Sequence, residues 1–335
     1  MRGAWLIVGG GVLAACGINP DYDGPVVADT DVAASSDDGV SSGSGTPNDG
    51  AITLMEFQST WATPNQIRWR WQPQGTADDF IAYELVTGPS EADVVQRTAA
   101  ARIWTSDDNP ELGVFNVPRT FVSHVVEAST TVGHPADTEV FAQLTALDSA
   151  GEQSVSAVAV ARTRPEPVFE IAILGEGEPP GWSSPSSYQL ASEQPFAGAD
   201  HFSYTHTCAE PECWENLQRQ DLGIDLSDIR AGDFDTTAFV EVAVAIEDSI
   251  PSWWGSIDLW FDPDAPEITA QYKGWQLAAT AEYQLLQVPL KALRSRETES
   301  PLTFDLLASG LAGFVVGGHY SDGATIRIDE ARLRW

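Results

Sequence analysis

His201, His206, Cys208 and Cys213 stand close together in the pattern H-x4-H-x-C-x4-C. Two imidazoles and two thiolates would satisfy a tetrahedral zinc ion, and the same two sulfurs, either side of Pro211, could instead close a disulfide. On a strand of period two, His201 and His206 have opposite parity and point to opposite faces, which counts against a shared metal. Tryptophans are the second chemically suggestive group. Trp253-Trp254 sits between Pro251 and Gly255 in a loop-like context, and Trp214, Trp260 and Trp275 fall in the same region. A flat indole stacks on a sugar face, so Trp253, Trp254 and Trp275 are candidate glycan contacts, whereas Trp260, beside Ile257, reads as core. Catalysis finds little support. Five histidines are scattered, and no two of 49 acidic residues stand out as an acid–base pair. Gly39-Val40-Ser41-Ser42-Gly43 matches G-x-S-x-G, but lacks the strand and helix that make a nucleophile elbow. The chain reads as non-enzymatic, with no cofactor required.

Seventeen Lys and Arg face 49 Asp and Glu among 335 residues, a formal net charge of −32. Such a surface repels phosphate, which excludes nucleic acid and polybasic docking to anionic lipid as main functions. It remains compatible with divalent cations and with neutral partners such as glycans. The first residues read as an export signal: Met1-Arg2, a short apolar run from Ala4 to Val12, then Leu13-Ala14-Ala15-Cys16. The last four resemble the lipobox of bacterial lipoproteins. That resemblance implies removal of residues 1–15, a diacylglycerol thioether on Cys16, acylation of its amine, and anchoring to the lipid bilayer by several acyl chains. Gly17, in place of the Asp of an inner-membrane retention signal, implies the outer membrane. An exported chain enters an oxidising compartment, and with Cys16 taken by lipid only Cys208 and Cys213 are left to pair. The disulfide is therefore favoured over zinc.

Residues 16–50 carry the lipidated cysteine and an acidic tether. The stretch after Cys16 has seven Asp, no Lys or Arg, and many Gly, Ser and Pro. It cannot bury enough apolar surface to offset its chain entropy. From residue 51 onward, short apolar runs alternate with turn signals and predict an all-β chain. Ile67, Trp69 and Trp71 interleave with Arg68 and Arg70, as on a strand with one buried face. Residues 51–164 resemble a fibronectin type III domain through "IRWRWQPQG", "FIAYELVTG" and "VFAQLTALDSAGEQSVSAVAVART". The resemblance implies a β-sandwich with Trp71 and Tyr83 in its core. Pro165-Glu166-Pro167 marks the boundary.

Residues 168–335 predict about nine strands, including Phe169–Leu174, His201–Thr207, Ala238–Ile246, Leu302–Leu307 and Ala324–Trp335, the last with a bulge at Asp329-Glu330. "IDLSDI" before "TTAFVEVAVAI", then "YQLLQVPLKAL" and "GFVVGGHYSDGATIRIDEARLRW", resemble the galactose-binding-like jelly rolls that include many carbohydrate-binding modules. That resemblance implies a β-sandwich able to bind glycan and a structural Ca²⁺ between Glu170 and Asp329; alternatively, Asp329 satisfies backbone donors at a strand end. Two functions remain: a surface lipoprotein binding glycan or polysaccharide through the jelly roll, or a structural, adhesive lipoprotein contacting envelope proteins without a small ligand. Mass spectrometry of detergent-extracted protein should find an acylated Cys16 as the first residue; an intact Met1 would count against the anchor.

Overall fold

The computed structural model describes residues 53–74, 80–112, 127–149, 153–175, 181–184, 188–193, 195–207, 212–247, 255–262, 269–275, 277 and 279–335. Eight strands come first: β1 (Thr53–Ala62), β2 (Gln66–Gln74), β3 (Phe80–Gly88), β4 (Arg102–Trp104), β5 (Glu127–Val132), β6 (Glu139–Asp148), β7 (Gln153–Val155) and β8 (Ala159–Arg162). They form an antiparallel sheet β1-β2-β5 and a second, β4-β3-β6-β7, with β8 also on β6. The period-two pattern of β2 buries Ile67, Trp69 and Trp71, and β3 answers with Tyr83 and Leu85. Trp71 meets Tyr83 edge-on at 4.9 Å between ring centroids, a geometry favoured by the ring quadrupoles. The buried Trp69 Nε1–H donates to Thr131 Oγ1 at 3.0 Å, so the large ring enters the core without leaving a donor unpaired.

Twelve strands follow: β9 (Glu170–Leu174), β10 (Trp182–Ser183), β11 (Tyr188–Ala191), β12 (His201–Thr205), β13 (Glu212–Arg219), β14 (Phe239–Glu247), β15 (Gly255–Trp260), β16 (Thr269–Trp275), β17 (Thr280–Pro289), β18 (Arg294–Ser295), β19 (Gly313–Ser321) and β20 (Thr325–Arg334). Two antiparallel sheets result, β11-β12-β20-β14-β17 with β9 on β20, and β10-β13-β19-β15-β16-β18. Val240, Val242, Val244 and Ile246 on β14 pack in one core with Ile257, Leu259, Phe314 and Val316 of the other sheet. The described residues are thus almost entirely β, in antiparallel sheets of sandwich type.

Three local readings change. Leu302–Leu307 is not a strand: Phe304–Leu307 forms a short helix, with Leu307 buried and Phe304 exposed, so the apolar residues there do not alternate. Glu91–Gln96 is helical because Ser90 Oγ accepts the Asp93 N–H and Arg97 takes the left-handed conformation that ends the helix. Strands β10, β11, β13 and β18 escaped the sequence pattern. The expected bulge is present: β14 pairs Val242 with Ala331 but Ala243 with Asp329, leaving Glu330 as the extra residue at φ 36°.

The described residues belong to one compact unit, and the two sandwiches meet through polar groups. Glu241, 2% exposed, accepts from Arg332 Nε at 2.7 Å, from Arg334 Nη1 at 3.3 Å, and from the Gln287 amide. Gln287 Oε1 in turn accepts from Thr63 Oγ1 at 2.5 Å, and its backbone N–H donates to Gln66 Oε1 at 3.2 Å. The Gln66 amide closes the chain on the Leu285 carbonyl. Replacing Glu241 by Ala would leave Arg332 and Arg334 with only the more exposed Glu166, Glu170 and Glu330, and the Gln287 amide without its acceptor, and should cost about 1–3 kcal/mol of stability by chemical denaturation. Gln287→Ala removes the acceptor of Thr63 Oγ1 and a donor to Glu241 while keeping the backbone contact to Gln66, and should cost about 1–3 kcal/mol of stability by chemical denaturation.

Candidate functional site

The outer face of the sheet β13-β19-β15-β16 collects aromatic and hydrogen-bonding side chains. On β13, Leu217 enters the core with Glu215, so Trp214, Asn216 and Gln218 take the opposite face. On β15, Ile257 and Leu259 are core, and Ser256, Asp258 and Trp260 take the opposite face, where Ser256 and Asp258 are buried and Trp260 is half-buried. One register row crosses five strands as Gln218, Val315, Asp258, Gln271 and Arg294. It sets two amides, a carboxylate and a guanidinium side by side.

Two glycines of β19 hold the indoles in place. A Cβ on Gly313 would come 2.7 Å from Trp260 Cε3, and one on Gly317 would come 2.9 Å from Trp214 Cζ2 and 2.6 Å from the Glu215 carbonyl. Each indole therefore lies over a glycine. Four residues of strand separate the two glycines, about 13 Å. Both tryptophans are half-buried, and Trp214 also meets His319 edge-on at 5.6 Å. The buried Trp260 Nε1–H and Asn216 Oδ1 find no hydrogen-bond partner among the described residues. Stacking surfaces flanking a polar row, with one donor and one acceptor to spare, suit a neutral, hydroxyl-rich ligand.

The sequence singled out further residues. Cys16, Cys208, Trp253 and Trp254 fall outside the described residues, and Trp275 is placed by its backbone, opposite Gly255 at the end of β16. The expected Cys208–Cys213 disulfide therefore falls outside them as well, Cys213 being placed by its backbone opposite Tyr320 on β13. The two histidines separate as their parity requires. His206 lies in the core with its Nδ1 3.2 Å from Glu215 Oε2, and Glu215 also accepts from Ser184 Oγ at 2.9 Å. Burial pushes the nearby Tyr204 and Tyr320 hydroxyls above their ordinary pKa, so both stay protonated. His201 lies on the other side of its sheet beside Tyr283, held below the usual imidazole pKa by burial and then by Arg327. Among the described residues, no three His, Cys, Asp or Glu side chains gather into a metal cluster.

Glu170 and Asp329 are not brought together. Glu170 pairs with Arg334 across β9 and β20, five residues along the strand from Asp329, and its carboxylate lies 3.5 Å from Arg332 and 3.6 Å from Arg334. Asp329 accepts the Phe196 N–H at 2.7 Å, the Ala197 N–H at 3.2 Å and the Glu330 N–H at 2.7 Å. Its oxygens serve backbone donors. The readable signal for the outer face was parity: Trp260 differs from Ile257 and Leu259 by an odd step, so the strand that buries them must turn it outward. Glycines at 313 and 317 mark where β19 lacks side chains on that face.

No protein-family model matches the chain, and no curated protein matches it. Solved structures resemble it only loosely. A carbohydrate-binding module of the β-sandwich superfamily aligns over 86% of this chain and all of its own, at 12% identity and a TM-score of 0.34. The K2 cleaved adhesin domain of Lys-gingipain covers 50% of this chain and all of its own, at 10% identity and a TM-score of 0.32. A chitinase from Bacillus thuringiensis covers 81% of this chain but only 26% of its own, at 10% identity and a TM-score of 0.22. No helix among the described residues is long and apolar enough to cross a membrane.

Gly317→Val would drive a side chain into Trp214 and the Glu215 carbonyl, and should cost about 1–3 kcal/mol in chemical denaturation with a change in near-ultraviolet circular dichroism. Gly232→Ala, with open space around it in a helix, should be neutral or slightly stabilising.

Proposed function

We propose that this protein is an exported, non-catalytic lipoprotein that binds neutral glycan through the outer face of the β13-β19-β15-β16 sheet. The observation that carries the reading is the pair of half-buried indoles over Gly313 and Gly317, flanking the row Gln218, Asp258, Gln271 and Arg294. Indoles supply apolar contact to the flat C–H faces of sugar rings, and amide and carboxylate groups discriminate among hydroxyls. Net charge agrees, since −32 disfavours polyanionic ligands. In this reading residues 51–164 are a fibronectin-like spacer, residues 168–335 a jelly roll, and acyl chains on Cys16 tie both to the outer membrane. In this reading Trp214 and Trp260 are the sugar contacts, beside the candidates drawn from the sequence, of which Trp253 and Trp254 lie outside the described residues.

An adhesive role is supported separately by the first sandwich. Val160, 54% exposed, lies opposite Phe141, and Val155, 52% exposed, lies opposite Thr145, which puts apolar side chains on one outer face of β6, β7 and β8. Affinity electrophoresis against neutral polysaccharides tests the main reading. Wild-type protein should be retarded by at least one of them, and Trp214→Ala and Trp260→Ala should each weaken binding at least tenfold. Lack of retardation across the panel, or full binding by both variants, would leave the adhesive reading in its place.

A further inference from the structure

A second concave site lies between the two sandwiches. The cleft, of about 320 Å³, is lined from the first sandwich by Trp61, Asn65 and Arg68 and from the second by Tyr272 and the 283–288 stretch of β17. That volume is at the lower end of pockets that take small molecules. Trp61 and Tyr272 stand edge-to-face at 6.3 Å and 74°, forming an aromatic corner contributed half by each sandwich.

Two charged groups of the cleft, Arg68 and Glu111, are already spent on one another. Arg68 Nη1 donates to Glu111 Oε1 at 2.9 Å and to Thr130 Oγ1 at 2.8 Å, while Glu111 Oε2 accepts the Thr130 N–H at 2.8 Å. Asp108, also in the wall, accepts from the Thr105 N–H at 3.3 Å and from its hydroxyl at 3.2 Å. An anion entering here would meet no uncompensated positive charge, because the guanidinium of Arg68 is already paired. Burial pushes the Tyr272 hydroxyl up to about 12, so it is a donor at every physiological pH. Asn65 Oδ1 is buried with no hydrogen-bond partner among the described residues, an acceptor whose desolvation a bound donor would compensate. Aromatic walls, a protonated hydroxyl, a free amide oxygen and a self-neutralised ion pair define the complement: a small neutral molecule with an apolar face and several hydroxyls.

We infer that the cleft between the sandwiches is a binding site for a neutral saccharide of one or two rings, separate from the outer sheet face. Because its walls come from both sandwiches, occupancy adds contacts across their interface and stabilises the pair together. Isothermal titration of the full chain with glucose, galactose, N-acetylglucosamine and their disaccharides tests this, read alongside the polysaccharide assay that tests the sheet face. At least one of these sugars should bind wild-type protein, bind the Trp214→Ala/Trp260→Ala double variant with unchanged affinity, and lose at least tenfold in Trp61→Ala. Asn65→Ala, a smaller change that spares the aromatic corner, should lose at least tenfold as well. Absence of binding by every sugar, loss of binding in the Trp214→Ala/Trp260→Ala variant, or unchanged affinity in Asn65→Ala would each overturn the inference, whatever the polysaccharide assay shows for the sheet face.

Discussion

A carboxylate almost wholly removed from water governs much of this structure. Glu241 sits on the outer face of β14, yet is 2% exposed, and a buried charge persists only where donors surround it. Arg332, Arg334 and Gln287 supply them. This requirement explains the irregularity of β20. Its first half buries Ile326 and Ile328, and an unbroken period of two would carry the even positions inward to Arg332 and Arg334. The extra residue at Glu330 shifts the parity. Ala331 and Leu333 then enter the core, and both arginines emerge on the face that Glu241 occupies.

The same carboxylate orients the neighbouring sandwich. Gln287 is fixed by Glu241 on one side and is thereby presented to Thr63 and Gln66 on the other. The turn between β1 and β2 docks on β17 through groups whose hydrogen bonds are satisfied in series, so losing one partner leaves the others buried and unpaired. Arg68 adds a parallel link, its guanidinium 5.8 Å from the centre of the Tyr272 ring while its Nη1 holds Glu111. The cleft follows from this geometry: polar groups fill the contact itself, and the aromatic corner beside it is left unfilled.

The outer sheet face rests on a different constraint, the lack of side chains at Gly313 and Gly317. An indole standing upright on a sheet presents an edge, whereas one lying over a glycine presents a face. β19 supplies two such seats on one strand, and its core side is filled by Phe314 and Val316. The strand is therefore packed by apolar side chains on its core side and covered by the two indoles on the other.

Composition and periodicity by themselves determined the class of this protein. Alternation in β2, β14 and β20 fixed which side chains face a core, the parity of His201 and His206 put them on opposite faces, and the bulge in β20 was legible because Ala331 and Leu333 break the rhythm of Ile326 and Ile328. These are local properties, set by a backbone whose side chains alternate strictly. What the tertiary structure decided is every relation between distant segments. Glu170 and Asp329 occupy plausible places in the chain, yet strand register holds them apart, and Asp329 is engaged by amides of the 196–197 segment. Trp61 and Tyr272, or Trp214 and Gly317, become neighbours only through the pairing and packing of sheets, because register and docking depend on the summed contacts of many residues and leave no trace in the spacing of the few that form a site.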